Sequence, residues 1–479
     1  METFRRIFDE SAHARFIRLS RDSNPIHADP VAARRMQTGA PIVHGIHSLL
    51  WLLECIAQSG VKLPTATDLK VLFRRVIYLG EQTSAQITEA SSKAIHARLV
   101  VEGTEAVAIV LGFDGRQGLP RPALLDADTV PMSPPSVPNN LRLEEMNRCQ
   151  GCLAFTAAAE QTAEMFPVAT RYLGHQRVGA LVCSSCLVGM VLPGLHSFFG
   201  GLDLCFTDDD SPAEDLLQFA VLSVEPRLRF VRIGIRGRGF HGALDTASRT
   251  LLVTQPSVAR VRKLVANDEF RTSTTLVIGG SRGLGEVTAK ILAAGGARVM
   301  ITYASGSADA NAVASEIRSA GSQCDLFTYD VRQSASDQLA ALDLRALTHL
   351  YYFATPAISR RKTGFYDLRR LAEFNTFYVT GFLDVVQTCL HRNGGRSLGV
   401  FFPSSVAVDV RPADLTEYAM AKAAAEMLCA DMGRFLPNVR ALTCRLPRLA
   451  TDQTNSLLQV QAADPVETIL PIVREMHRR

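Results

Sequence analysis

The sequence has little net charge and little cysteine. Lys and Arg number 51 against 47 Asp and Glu, leaving +4 at neutral pH. A balance that small gives no reason to expect nucleic acid or a membrane surface as partner. Ten cysteines among 479 residues are too sparse for a disulfide scaffold and suit a reducing compartment. One stretch could be mistaken for a membrane span: Val178 to Leu202 carries no Asp, Glu, Lys or Arg. Its length would cross a membrane, but Pro193, His196 and several glycines and serines interrupt it, so a buried helix with its approach loop is expected. The opening METFRRIFDE lacks the apolar stretch of a secretory signal, and the closing EMHRR matches no lipid or peroxisomal tag, so a cytoplasmic setting is expected.

What is present is ordinary for a globular protein. Hydrophobic residues make up 47% and charged residues 20%, which excludes disordered, collagenous and coiled-coil chains. The length suggests roughly three domains at about 150 residues each. Two stretches read as boundaries. Residues 116–140 hold Pro120, Pro122, Pro131, Pro134, Pro135 and Pro138, a stiff linker, and residues 256–273 are polar and basic. An internal repeat joins the first two segments: Ala40 to Leu50 lies over Gly189 to Phe199 at an offset of 149, and the same offset lays Leu72-Phe73-Arg74 on Val221-Leu222-Ser223. Each copy reads as one long apolar helix, opening near Gly45 or Gly194, followed by strands that wrap it.

The third segment alternates strand-like and helical patterns. TTLVIGG, ARVMITY, CDLFTYD, HLYYFAT, SLGVFFPSS and RALTCRLP are apolar, β-branched and aromatic, the composition of a parallel sheet covered on both faces. Gly279-Gly-Ser281-Arg282-Gly283-Leu284-Gly285 lies between the first strand and its helix, where glycines let the backbone approach a pyrophosphate at a helix N-terminus. The structural alternative is a tight turn that needs glycine. The second strand ends Thr302-Tyr303-Ala304-Ser305 without the acid that would bind a ribose hydroxyl, and Arg282 stands where a 2′-phosphate would sit, so NADP(H) is favoured over NAD(H). Arg282 can otherwise be a plain surface charge. Tyr418 and Lys422 share one helix face at i, i+4, with Ser405 at the end of the fifth strand. A phenol near a lysine ammonium is expected to have a lowered pKa and to act as a general acid at neutral pH, and a serine hydroxyl can hold the carbonyl being reduced.

Residues 274 to about 455 thus resemble a short-chain dehydrogenase/reductase of the 3-oxoacyl-thioester reductase type, with a doubly wound Rossmann fold. The resemblance implies Ser405, Tyr418 and Lys422 as the catalytic set, with Lys422 also on the cofactor ribose. It implies Asn375 as holder of a relay water, Asp330 and Val331 at the adenine, Ala354 beside the cofactor, and Pro447 to Thr451 as the loop over the nicotinamide. Three departures stand out: Ile278 in place of a threonine, Tyr352-Phe353-Ala354-Thr355 in place of an Asn-Asn-Ala-Gly turn, and no final strand beyond the last helix. The missing strand puts the usual tetramer in doubt.

In the first segment Asp22, Asn24 and His27 fall within six residues, in a stretch punctuated by Pro25 and Pro30. An Asp–His pair can activate water for addition, or reverse that in a dehydration. The bland alternative is an Asx turn followed by a capping histidine. The motif resembles the MaoC-like (R)-specific enoyl-thioester hydratases and dehydratases, which have the hot-dog fold. The resemblance implies Asp22 and His27 as the water-activating pair and Asn24 as their orienter. It implies the His44-Gly45 helix start as the place where a backbone N–H polarises the thioester carbonyl. Arg21 departs from the family's usual glycine. At the 149 offset the second copy has Arg171, Leu173 and Gln176, a degenerate half that shapes an acyl tunnel.

Cys149-Gln-Gly-Cys152 and Cys183-Ser-Ser-Cys186 have zinc-ligand spacing, yet the second pair sits in the uncharged run, so apolar packing is expected and no metal. His47 and His196 are expected as buried, hydrogen-bonded helix residues, with His44 nearer the site. The resulting expectation is an α+β double hot dog followed by an α/β Rossmann domain: a catalytic hot dog at 1–118, a Pro-rich linker at 119–148, a degenerate hot dog at 149–258 and the reductase at 272–479. The activities would be 3-oxoacyl-thioester reduction and (R)-3-hydroxyacyl-thioester dehydration in lipid biosynthesis, on acyl-CoA or acyl carrier protein, with monomer and homodimer both open. An oxidative enoyl-CoA hydratase/3-hydroxyacyl-CoA dehydrogenase and a non-catalytic carrier-binding scaffold are the rivals.

Overall fold

The computed structural model describes residues 4–115, 130–154, 159–207, 215–250, 253–358, 366–454 and 461–478. Contacts divide the chain into two units, one holding most of residues 4–250 and the other most of residues 253–478. The first part of the expected linker, with Pro120 and Pro122, lies outside the described residues. From Met132, which bridges to Leu153, the chain is held again.

The first unit is one ten-stranded antiparallel sheet. Its first half has β1 (Phe4–Ile7), β2 (Asp68–Phe73), β3 (Gln82–Ala90), β4 (Ala94–Val101) and β5 (Thr104–Gly112). Its second half has β6 (Gln150–Ala154), β7 (Ser197–Phe206), β8 (Leu216–Glu225), β9 (Phe230–Gly237) and β10 (Phe240–Ser248). The order β1-β3-β4-β5-β2-β7-β10-β9-β8-β6 reads the same from either end, and β2 against β7 joins the halves. The helices of the first half are α1 (Glu10–Ser20), the single turns α2 (Pro25–Ala28) and α3 (Pro30–Ala33), and α4 (Gly45–Gln58). Those of the second are α5 (Leu143–Met146), α6 (Ala159–Met165), α7 (Pro167–Leu173) and α8 (His175–Cys186), the last continued by a π turn at Leu187–Val191.

Every residue of α4 from Ile46 to Ile56 is buried, because a helix apolar all round can only sit inside a sheet. Its one carboxylate, Glu54, accepts the backbone N–H groups of Val168 and Ala169 at 2.8 and 2.6 Å. The N-terminus of α7 offers unpaired donors and the positive end of its dipole, so the charge is met without an ion pair.

The repeat exists in the sheet order, but not at the offset read from the letters. No helix opens at Gly194. The second buried helix, α8, precedes it, and the chain from Ser197 is already strand β7. Pro193 has no N–H to continue a helix, and Gly194 has φ +76°. In the first half 24 residues separate α1 from α4; in the second, Gly174 alone separates α7 from α8. Among its described residues the second half therefore has no segment equivalent to the Asp22–His27 loop, and pairing those residues with Arg171, Leu173 and Gln176 has no structural basis. His196 accordingly lies in the turn before β7, bonded to Asn140 Oδ1 at 3.0 Å, and not on a helix.

The second unit is a six-stranded parallel sheet of β11 (Thr274–Ile278), β12 (Arg298–Tyr303), β13 (Cys324–Thr328), β14 (His349–Tyr352), β15 (Leu398–Ser405) and β16 (Val439–Leu446). All six apolar runs appear as strands. The order β13-β12-β11-β14-β15-β16 reverses direction between β11 and β14, which opens a crevice at the strands' carboxyl ends. No helix among the described residues is long and apolar enough to cross a membrane.

Candidate active sites

In the first unit, α1 ends at Ser20 and Arg21 turns the chain in the left-handed region at φ +55°. Glycine takes that conformation without strain, which gives the physical reason for the glycine of the resembling family. Asn24 then does what an Asx cap does, its Oδ1 accepting Ile26 N–H at 3.1 Å to start α2. Its amide also donates to the carbonyls of Gly189 and Gly194 at 2.7 and 3.0 Å, so the same residue pins the loop to the second half. The Asx-turn reading is met here, and the same side chain also ties the loop to the second half.

Asp22 is buried, with one oxygen accepting from Ser185 Oγ at 2.8 Å and the other from Asn24 N–H at 3.3 Å. Burial raises its pKa, against the pull of His27 and of these two bonds. His27 Nδ1 donates to the Ile42 carbonyl at 2.7 Å, which leaves Nε2 as the unprotonated nitrogen. Burial, with His44 beside it, holds the His27 imidazole down to about 3, so it stays a neutral base. The His44 ring stacks on His27 at 3.7 Å, and its Nε2 donates to the Asp22 carbonyl at 3.0 Å. Asp22, His27 and His44 each place a ligand-type atom within 4.8 Å of the others. With His27 Nδ1 and His44 Nε2 both given to carbonyls, the set suits proton transfer. The pair opens into a cavity lined also by Gly45, Ser48, Phe73 and Phe199. His47 departs from expectation: it is buried, its ring lies flat on Phe16 at 4.7 Å, and among the described residues neither of its nitrogens has a hydrogen-bond partner. The four cysteines of the C-x-x-C pairs form no ligand grouping among the described residues.

In the second unit the glycine loop passes under the β14 turn. Gly279 has φ +79°, and a Cβ there would fall 3.0 Å from Ala354 N; one on Gly285 would fall 2.2 Å from Gly279 O. Side chains would fill this cradle, so the residues fit a pyrophosphate held by backbone at the start of helix Gly283–Ala294. Ser281 is buried in the loop beside them. Arg282 Nη1 is 2.5 Å from Asp452 Oδ2, a carboxylate that the sequence reading missed. Asp330 is gripped by Arg332 and held below the usual carboxylate range, and Val331 is buried against Gly381.

Ser405 ends β15 near the Tyr418 phenol, and burial raises the phenol's pKa against the pull of that serine, contrary to the lowering expected from Lys422. Lys422, one turn further, is buried with Nζ donating to the Pro403 carbonyl at 2.6 Å. It faces the rings of Tyr378, Phe402 and Tyr418 at 4.0, 4.5 and 5.7 Å, and burial lowers its pKa to about 7. Asn375 ends helix Leu368–Asn375, where a π turn follows, and its neighbour Phe374 packs on Tyr418 at 5.6 Å. The unusual turn acquires a purpose: Thr355 Oγ1 bonds Tyr378 OH at 2.5 Å, and Tyr378 carries the face that meets Lys422.

Comparison with known families gives two matches. Residues 3–109 match the family described as MaoC like domain, and residues 273–459 the family described as short chain dehydrogenase. The chain joins a MaoC-like domain to a short chain dehydrogenase domain. No curated protein matches it. Among solved structures it is similar to a 3-oxoacyl (acyl-carrier-protein) reductase from Agrobacterium tumefaciens, with 21% identity over 42% of this chain and 86% of that one, TM-score 0.38. A putative short chain dehydrogenase from Pseudomonas syringae gives 21% identity over 44% and 91%, TM-score 0.38. Acetoin dehydrogenase from Salmonella typhimurium gives 17% over 42% and 88%, TM-score 0.37. The MaoC-like domain carries the hot-dog fold, and the dehydrogenase domain the Rossmann-like parallel sheet.

Three residues escaped the sequence. Ser185 and Gly189 hold Asp22 in the MaoC-like domain's site, and Asp452 holds Arg282 in the dehydrogenase domain. Only Asp452 left a trace, as the residue following the loop that ends at Thr451.

Proposed function

We propose that the chain carries out two successive steps on one acyl thioester. The dehydrogenase domain reduces a 3-oxoacyl thioester, and the first unit, a double hot dog, removes water from the resulting (R)-3-hydroxyacyl thioester. One observation carries this reading: His27, its Nδ1 committed to Ile42 and its other nitrogen left free of that bond, comes within 4.8 Å of the Asp22 carboxylate in a cavity that also holds Gly45. Asp22 and His27 would bind the water that leaves or adds. The backbone N–H of Gly45, at the positive end of α4, would meet the thioester oxygen as enolate charge develops. In the second site Ser405 would hold the ketone oxygen, Tyr418 would give it a proton, and Lys422 would stabilise the phenolate and bind the ribose; NADPH, when bound, supplies the hydride. The proposed boundaries are 1–118, 119–148, 149–258 and 272–479, in a cytoplasmic enzyme of lipid biosynthesis acting on acyl-CoA or acyl carrier protein.

The deciding experiment gives purified protein NADPH and a short 3-oxoacyl thioester and reads the acyl product by mass. An enoyl product supports both sites in sequence. A hydroxyacyl product alone removes the dehydratase half for that substrate, and unchanged substrate removes the reductive reading.

One observation favours the oxidative alternative, an NAD⁺-linked hydratase/dehydrogenase. Arg282 already has a buried carboxylate partner in Asp452, which competes with a 2′-phosphate. If Arg282 selects NADPH, Arg282→Ala raises KM for NADPH by about tenfold or more, the range for a charge-assisted hydrogen bond. KM for NADH should hardly move. Equal effects on both cofactors, with NAD⁺ the better substrate in the parent protein, would decide for the oxidative direction.

A further inference from the structure

The Asp22 carboxylate is seated mainly by residues far from it in sequence. Ser185, in the last turn of α8, donates to its Oδ2 at 2.8 Å. Gly189, four residues on in the π turn, lies so close that a Cβ there would fall 2.1 Å from Oδ1. Asn24, two residues beyond Asp22, donates to the Gly189 carbonyl at 2.7 Å. A serine inside a helix ordinarily bonds back to its own helix, and Ser184 does so, at 2.6 Å to the Leu181 carbonyl. Its neighbour Ser185 turns its hydroxyl out to the carboxylate instead. The π turn that presents Gly189 is the kind of helix irregularity that gathers at functional sites.

We propose that Ser185 is a positioning residue of the hydration site, fixing the Asp22 carboxylate toward His27. The second half of the sheet, which has no acid–base loop of its own, then serves the reaction as the wall that holds the loop. This rests on the hydro-lyase reading of Asp22 and His27.

Asp22 is faced by His13 on α1, His27 on α2, His44 ahead of α4 and Cys186 on α8. Burial keeps the three imidazoles low and the thiol high, so no full charge stands opposite the carboxylate, and the serine hydroxyl is its side-chain donor. The Ser185 bond pulls the carboxyl's pKa down against burial. Removing it raises that pKa further. Activity that needs the carboxylate is lost as pH falls through the pKa, so the acid limb moves to higher pH.

The test uses the full-length protein and hydration of a short 2-enoyl-CoA, followed by loss of the conjugated double bond's absorbance. Ser185→Ala is expected to lower kcat by about 10- to 100-fold, the effect of one hydrogen bond to a charged group. It should leave KM near its original value and move the acid limb of the profile upward. Ser185→Thr, which keeps the hydroxyl, should restore both. The melting temperature and the NADPH-dependent reduction should not change. If Ser185→Ala melts early, Ser185→Cys, a weak donor of similar size, should show the same shift of the limb. An Ala variant with an unmoved kcat and limb overturns the assignment, as does a loss that Thr does not rescue. If the parent protein hydrates no enoyl thioester, the hydro-lyase reading itself falls and this assignment with it.

Discussion

Asp22→Asn is expected to stop the acyl product at the 3-hydroxy stage while NADPH is still consumed. The substitution keeps the side chain's shape. The amide oxygen can still accept from Asn24 N–H, and the Ser185 hydroxyl can turn to suit the amide group. Proton transfer is what goes, because an amide neither takes nor returns the water's proton. General acid–base contributions run to about 10²–10⁴-fold, so dehydration should fall by that order. Folding should not suffer. Burial already disfavours the charge at this position, and a neutral side chain of the same size removes that cost. A variant that dehydrates at the parent rate would show that Asp22 is structural. One that melts well below the parent would show that the carboxylate holds the loop rather than works in it.

The candidate residues of this site were legible because they are local. Asp22, Asn24 and His27 sit within six residues, and two prolines confine the segment to a loop. Its support was not legible. Ser185 and Gly189 lie more than 160 residues away, and serine and glycine are too common to be singled out without the fold. The misplaced second helix has a similar origin. Gly-x-His-Ser occurs in both Gly45–Ser48 and Gly194–Ser197, and in the first it opens a helix. In the second, Pro193 and the left-handed Gly194 turn the chain into strand β7. A letter match cannot tell a helix start from a helix exit when glycine and proline serve both.

The dehydrogenase domain was easier to read, for a physical reason. Parallel strands covered on both faces appear as unbroken apolar runs, and all six stood out. The Ser405–Tyr418–Lys422 set follows from strand end and helix spacing. Arg282 shows the limit of such reading. It stands at the start of the glycine-loop helix, but its partner Asp452, 170 residues on, is brought beside it only by the fold.

Tyr418→Phe is expected to lower 3-oxoacyl reduction by about 10²–10⁴-fold and to leave enoyl hydration untouched. The ring keeps its packing on Phe374 and Tyr378, at 5.6 and 5.8 Å, so only the hydroxyl is lost. The phenol is held protonated by burial, which suits a proton donor. Its conjugate phenolate needs a nearby positive charge, and Lys422 supplies one whose own pKa is lowered to about 7. A depressed base loses its charge as pH rises through that value. Reduction by the parent protein should therefore fall above about pH 7, while a lysine in water would stay charged to about pH 10. The same shift makes a prediction for folding. Between about pH 7 and 10 the unfolded chain binds the proton and the folded chain does not, so this group's contribution to stability rises with pH as its contribution to catalysis falls. Rates of NADPH oxidation across that range, set beside melting temperatures, separate the two. A rate that stays flat to pH 9 would remove Lys422 from the proton-transfer step. A Tyr418→Phe variant within a few-fold of the parent would remove Tyr418 as the acid.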